Sequence, residues 1–365
     1  MGCALASNLA WVLESIYLTS LDYTFGSITK SPSDVKFARG TIDTTAVGTY
    51  NSLSKGSRIV RDCADMPTAK KTKKSTAGQL GVVVNNVISL RASADSDTEC
   101  VTQGLIGQPV IAEGGQKDWY YVQTWDTYRG WIPRHAMRLL EDQSRAYAST
   151  GPVAVIRELW VDIREQPNEW SAIITKATIS AELEIVDSID DWVELRLPDL
   201  RTGFIRKCEA RLIDKDMAHT IWLPNTKKIV ETACRFIGVP YLWGGTSPFG
   251  IDCSGFVQLV HRIHGITLLR DAGIQAGDPR CRPVARKDVR TGDLVFFGKG
   301  KDPDLEAVTH IGLAMDNDRF IHSGGACGVA ITRFDDRNSP YFKRYWGARR
   351  MRFDTLDVGG GAPED

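Results

Sequence analysis

The sequence lacks the features that would announce a membrane protein, a metal centre or a disulfide-built scaffold. Eight cysteines, at positions 3, 63, 100, 208, 234, 253, 281 and 327, are scattered through 365 residues without a CxxC pair or a dense framework. A four-cysteine zinc site needs paired ligands, so that scatter argues against one. Pairing all eight would leave no free thiol, and one reactive cysteine would leave an odd number. Most are therefore expected to be reduced, which leans toward the cytoplasm. No stretch reaches the roughly 18–20 apolar residues of a membrane span. Neither sign of charge is in excess, because 45 Lys and Arg balance 45 Asp and Glu. Nothing therefore pulls the chain as a whole toward nucleic acid or an anionic membrane. The first twenty residues are mildly apolar, but Glu14 and the want of a basic start make them a poor secretory signal. Met1-Gly2-Cys3 matches a lipidation pattern only loosely, so an N-terminal helix or leader is the simpler reading.

What is present divides the chain into parts. A length of 365 residues suggests two or three domains. Residues 1–78 read as a leader that closes in the basic, polar run Thr68 to Thr76, a solvated linker. Residues 79–147 read as short strands, among them Val87-Ile88-Ser89-Leu90-Arg91 and Trp119-Tyr120-Tyr121-Val122, joined by turn residues such as Gly114-Gly115. Close-set short strands of this kind suggest a small barrel. The pattern then returns over 148–216. Val161-Asp162-Ile163-Arg164 echoes Ile88 to Arg91, Asp191-Trp192-Val193 echoes Asp118-Trp119-Tyr120, and Gly203-Phe204-Ile205 echoes Gly130-Trp131-Ile132. Each echo lies about 73 residues on, which signals a duplicated domain. From residue 217 to 355 the texture changes. Asn225 to Ile237 has helical apolar spacing stopped by Gly238 and Pro240, and a second helix is expected from Cys253. Strands are expected over 293–298, 309–315 and 319–323, and residues 356–365 read as a tail.

Cys253 follows the glycine-rich turn Gly244 to Gly250 and opens the second helix. The unpaired N–H groups of a helix start favour a thiolate, the form in which cysteine is a nucleophile. A packed structural cysteine is the alternative, and taken alone the residue leaves both readings open. Its polar flanks, Asp252 and Ser254, suit a reactive cysteine better. A thiol nucleophile needs a base within reach. His310 lies in the β-rich run Val308 to Ala314, and His322 ends the next run after the turn Asp316-Asn317-Asp318. An antiparallel hairpin would set the two rings on neighbouring strands, where one could orient the other. Such a pair can equally be structural. His261 and His264 stand at i, i+3 on the helix without an acidic or thiol partner at ligand spacing. They read as helix-surface residues, and no metal or cofactor is expected.

Together these pieces carry a resemblance. Residues 219–352 resemble the NlpC-type family of cell-wall peptidases through several pieces in matching order and spacing. These are Tyr241-x-Trp243-Gly244-Gly245, Asp252-Cys253-Ser254-Gly255-Phe256, Arg290-x-Gly292-Asp293-Leu294-Val295-Phe296-Phe297, His310-Ile311-Gly312 and Phe320-Ile321-His322. The two repeated segments resemble bacterial SH3 domains. The resemblance implies a multidomain fold of two small all-β SH3-like barrels followed by an α+β papain-like catalytic domain. It also implies Cys253 as nucleophile, His310 as base, His322 as the residue that holds His310, and Tyr241 as a hydroxyl near the oxyanion. The domain arrangement resembles the γ-D-glutamyl-L-diamino-acid endopeptidases, which cut peptidoglycan stem peptides and read a free N-terminal L-Ala. On that likeness Asp252, Ser254, Asp271, Glu99, Tyr128 and Trp243 are expected to bind the substrate. Related sequences commonly place Ser after the Arg-Asp pair where this chain has Ala272, which bears on fine specificity. The partner expected is thus a peptidoglycan-derived peptide, with no nucleic acid and no membrane span, and with export to the cell envelope as the alternative location. An inactive wall-binding protein and an amidase or acyltransferase on a related fold remain the competing readings.

Overall fold

The computed structural model describes residues 78–217, 225–300, 302–325 and 327–352. The expected leader, its basic run, His219 and the tail lie outside these residues. The first seven described strands, from Gln79–Val83 to Met137–Leu139, form an antiparallel sheet closed around Val83, Leu90, Val110, Val122 and Ile132. Seven more, from Pro152–Ile156 to Ala210–Asp214, form a second sheet around Ile156, Ile163, Leu183, Val193 and Ile205. In both sheets the spatial order of strands is third, second, sixth, fifth, fourth, first, seventh. Corresponding strands begin 73 residues apart (152 − 79, 173 − 100, 202 − 129). A side-chain bond is copied as well: Arg91 Nη1 donates to Thr98 O at 2.8 Å, and Arg164 Nη1 to Ser171 O at 3.0 Å. A constant offset in strands and bonds alike identifies a duplication. Tyr147, in the connection, packs into the second core beside Val82 and Ile106 of the first copy, so the two sheets share buried surface.

The rest of the chain packs helices on a six-stranded antiparallel sheet. In spatial order its strands are Cys281–Val284, Tyr345–Met351, Leu294–Gly298, Val308–Ala314, Arg319–Gly324 and Gly328–Arg333. Leu294–Gly298 is buried along its whole length. Phe296 joins the core under the helices with Phe256, Val260 and Ile311, while Phe297 points the other way toward Phe320 and Phe334. That is the two-residue period of a strand covered on both faces. The first helix, Thr226–Cys234, is capped by Asn225, whose side chain accepts from Lys227 N and Lys228 N. It stops short of Ile237 because Gly238, at φ +88, turns the chain. The second helix is Cys253–Ile263, and a short third one is Ala272–Ala276. The expected hairpin is present, with Leu313 opposite Ile321 and Ala314 opposite Phe320.

Several strands were not anticipated, among them Cys281–Val284 and Gly328–Arg333 at the two edges of the six-stranded sheet, and two others show the reason. Cys100–Leu105 has little apolar alternation, since Thr102 and Gln103 interrupt it, and Tyr345–Met351 carries Arg349 and Arg350. Both arginines are held by acids across the sheet: Arg349 by Asp302 at 2.7 Å and Arg350 by Asp293 at 2.7 Å. His261 also departs from expectation. It is buried rather than on the helix surface, and its Nδ1 bonds the Val257 carbonyl oxygen at 2.8 Å. That backbone bond satisfies the ring inside the core.

Both sheets pack on the helical part. From the second, Trp160 stacks with Phe249 at 6.0 Å, and Glu158 pairs with Arg235 at 2.7 Å. From the first, Gln103 Oε1 accepts from Thr246 N at 2.8 Å, and Asp126 Oδ2 accepts from Gln258 Nε2 at 2.8 Å. The closest approach is at Gly244, which has φ +75 and where a Cβ would lie 2.3 Å from the Cys100 carbonyl oxygen. Only glycine fits both demands. Gly244→Ala is expected to lower stability by about 1–3 kcal/mol, measured as the midpoint shift in urea unfolding. An unchanged midpoint would contradict the close packing of strand Cys100–Leu105 on this turn.

Candidate active site

Cys253 is the first residue of its helix, and Asp252 is the N-cap. Asp252 Oδ1 accepts from Gly255 N at 2.7 Å, Ser254 Oγ at 3.2 Å and Arg270 Nη1 at 3.0 Å. Its Oδ2 accepts from Gly244 N at 3.0 Å and Arg270 Nη2 at 2.5 Å. A carboxylate has about four good acceptor positions, so this one is saturated. Arg270 in turn donates from Nη1 to Ser254 Oγ at 2.9 Å and from Nε to Thr102 Oγ1 of the first sheet at 3.2 Å. Asp252 and Ser254, expected to bind the substrate, are thus both bonded to Arg270, the cation that an acid buried this deeply needs.

The thiol lies against the histidine hairpin. The backbone N–H groups of Ser254 and of Ile311, the residue after His310, both favour the thiolate form of Cys253. The phenol groups of Tyr241 and Tyr341 each interact electrostatically with the thiol. Tyr241 is bridged through its backbone to Ile251, two residues before Cys253. Burial keeps the Tyr241 hydroxyl protonated, well above the ordinary phenol range, so it remains a hydrogen-bond donor. His310 Nε2 lies 3.0 Å from His322 Nδ1, and His322 Nε2 lies 3.0 Å from Thr332 Oγ1.

That chain fixes the protons by exclusion. If His310 Nδ1 is to accept a proton, Nε2 must carry one and donate it to His322 Nδ1. His322 Nε2 then carries the remaining proton and donates to Thr332. The thiol and both rings are neutral at rest. Burial, with the Asp252 charge adding, pushes the Cys253 thiol up to about 11. Burial holds His310 well below 6.5, and His322 at about 4. Burial thus opposes the thiolate that the helix start favours. Proton transfer to His310 can therefore accompany attack rather than precede it.

The remaining predicted residues gather where the first sheet meets this part. Glu99 Oε1 accepts from Trp243 Nε1 at 2.6 Å, and the Tyr128 hydroxyl interacts electrostatically with Asp271. Glu99 also acts electrostatically on Tyr128. Burial raises Asp271 above the ordinary carboxylate range, with Asp252 and Asp126 adding to the rise. The structure thus brings together Glu99, Tyr128, Asp271 and Trp243, from both parts, beside the Asp252–Cys253 helix start. In the second copy the positions of Glu99 and Tyr128 hold Ala172 and Arg201, so the cluster is confined to the first. Ala272 is buried in the core under the helices. The sequence reading did not single out Thr332 or Tyr341, and it gave Arg270 no role. Thr332 and Tyr341 lie in segments with no motif, and Arg270 was visible only as the neighbour of Asp271. Among the described residues no group of His, Cys, Asp and Glu is arranged to hold a metal ion.

The chain is similar to several known proteins. Residues 238–350 match the sequence profile of the NlpC/P60 family. A γ-D-glutamyl-L-lysine dipeptidyl-peptidase of Bacillus cereus is 28% identical over 258 residues, covering 68% of this chain and 74% of that protein. Dipeptidyl-peptidase 6 of Lysinibacillus sphaericus is 28% identical over 267 residues, covering 71% and 93%. A probable endopeptidase of Haemophilus influenzae is 37% identical over 124 residues, covering 33% and 71%. The crystal structure of an NlpC/P60 family protein from Bacillus cereus superposes with a TM-score of 0.65 at 23% identity, over 74% of this chain and 99% of that one.

Neutral partners predict a distinctive pH dependence. Alkylation of Cys253 by iodoacetamide, followed by mass spectrometry of its peptide, should accelerate continuously from pH 6 to pH 10. A preformed thiolate–imidazolium pair would instead give a plateau near neutrality, and that result would contradict the assignment. Removing the last acceptor, by Thr332→Val, should lower turnover roughly three- to tenfold, as expected for one lost hydrogen bond of about 1 kcal/mol. Turnover equal to the parent would remove Thr332 from the relay.

Proposed function

The chain belongs to the NlpC/P60 family, and on that premise we propose that it is a cysteine peptidase that hydrolyses the γ-D-glutamyl–L-diamino acid bond of peptidoglycan stem peptides. The observation that carries the reading is Cys253 at the start of its helix, acted on by the backbone N–H of Ile311 in the strand that bears His310, whose ring is held by His322. The name of the Bacillus cereus relative, a γ-D-glutamyl-L-lysine dipeptidyl-peptidase at 28% identity, supplies the bond.

In this reading the Cys253 sulfur attacks the γ-carbonyl carbon of D-Glu while its proton passes to His310 Nδ1. The oxyanion is bound by the Cys253 N–H, one of the unpaired first-turn donors, and by the Tyr241 hydroxyl. His310 returns the proton to the leaving amine of the diamino acid. Water, deprotonated by the same nitrogen, then releases the acyl group and restores the thiol. His322 and Thr332 hold the base in the tautomer this sequence requires.

We read the duplicated sheets as SH3-like barrels, the first of which completes the cleft. Glu99 and Asp271 bring two acids to this end of the cleft, where Arg270 offsets only part of the charge on Asp271, and Tyr128 and Trp243 wall them in. An L-Ala ammonium would add a second cation, and its binding would favour the ionised form of Asp271 that burial disfavours. Stem peptides still attached to glycan have that amine blocked, so released peptides are the fitting substrate and the cytoplasm the fitting place.

L-Ala-γ-D-Glu-L-Lys and its N-acetylated form separate these claims. The free peptide should be cut between Glu and Lys, and the acetylated one at least about tenfold more slowly. Equal cleavage of both would remove the amine pocket. No cleavage of either, or undiminished cleavage by Cys253→Ala, would overturn the peptidase reading.

A further inference from the structure

Tyr341 touches both histidines. Its ring stacks on His310 with centroids 4.6 Å apart and planes at 25°, and meets His322 edge-on at 4.5 Å and 69°. Phe297, 5.2 Å away, backs the same ring. The hydroxyl lies over Gly324, where a Cβ would be 2.8 Å from it and 3.0 Å from the His322 ring. Glycine at that position is what lets phenol and imidazole meet. Tyr341 precedes the turn Phe342–Arg344, and Arg344 Nη2 donates to Thr309 Oγ1 at 2.6 Å. The whole segment is therefore fastened to the strand that carries His310.

We propose that Tyr341 is a positioning residue for the thiol–imidazole pair: its ring holds His310 in one rotamer and one tautomer, and its face supports the positive charge His310 gains on taking the Cys253 proton. Two physical facts lead there. The His310 ring is tied by one hydrogen bond, to His322, and a single bond leaves an imidazole free to tilt about it. A stacked phenol blocks that tilt. The charge also needs support, because burial opposes a positive His310, and neighbouring His322 and Arg344 both act against it. The stacked face of Tyr341 is the contact that favours an imidazolium. The hydroxyl is not required for either effect.

This inference rests on the peptidase reading for its rate effects, so the experiment includes a measurement that does not. Tyr341→Phe, Tyr341→Leu and Tyr341→Met are compared with the parent. Long-range proton–nitrogen NMR spectra of the histidine rings report tautomers whether or not any peptide is cut. The parent and Tyr341→Phe should show His310 protonated at Nε2 alone, while the Leu and Met variants show averaging between tautomers. On the peptide substrate the Leu and Met variants should lose about tenfold in kcat with KM within twofold, and Phe should restore the parent rate. A single unchanged tautomer in Leu and Met, or a Phe variant as slow as Leu, would overturn the proposal. A parent that cuts no peptide but shows the expected spectra would count against the peptidase reading alone.

Discussion

The buried ion pair of Asp252 and Arg270 ties three parts of the molecule to one point. Asp252 caps the helix that Cys253 opens, holds the Gly244 turn through its backbone N–H, and anchors Arg270, which reaches Thr102 in the first sheet. Breaking such a pair by removing one partner typically costs about 3–5 kcal/mol, because the remaining charge is stranded in a poor solvent. Its value here is geometric. One carboxylate sets the direction of the nucleophile helix, the depth of the turn beside it, and the seat of the neighbouring sheet. The duplicated sheet is thereby part of the site, although its strands contribute nothing to the bond-making atoms.

The same burial governs the chemistry. A thiol and two imidazoles taken out of water lose the solvation that would stabilise their charged forms, so all three are neutral at rest. On the proposed mechanism, charge separates only when a substrate carbonyl is present to receive electrons from sulfur, the cost of a resident ion pair is avoided, and the bonds through His322 to Thr332 keep the base poised. On the proposed substrate side the balance is reversed. Glu99 and Asp271 gather anionic character around Tyr128, an arrangement that becomes favourable once a cation enters.

Much of this could be read in the sequence because the chemistry needs particular residues at fixed spacing. Local pattern made Cys253 and the two hairpin histidines candidates, the family resemblance assigned their roles, and the duplication was visible because strand pairs preserve their offset. What escaped was set by tertiary contact. Strand Cys100–Leu105 has too few apolar residues to signal itself, since Thr102 and Gln103 are spent on bonds to Arg270 and Thr246. Tyr345–Met351 hides its strand character behind arginines paired across the sheet. The ionisation of Cys253 followed from depth of burial, which a helix-start argument does not contain. Tyr341 and Thr332 reach the histidines from segments without any motif, so only the folded arrangement reveals them.

The central claim is that Cys253 forms a thioester with the γ-carboxyl of D-Glu in a stem peptide. The most direct measurement is intact mass after mixing the protein with L-Ala-γ-D-Glu-L-Lys and quenching in acid within milliseconds, followed by peptide mapping. The account predicts an added L-Ala-D-Glu acyl group, on Cys253 and on no other cysteine, that disappears as free dipeptide is released. Peptide turnover with no acyl group on Cys253 at any quench time, or with the group on a different residue, would contradict it.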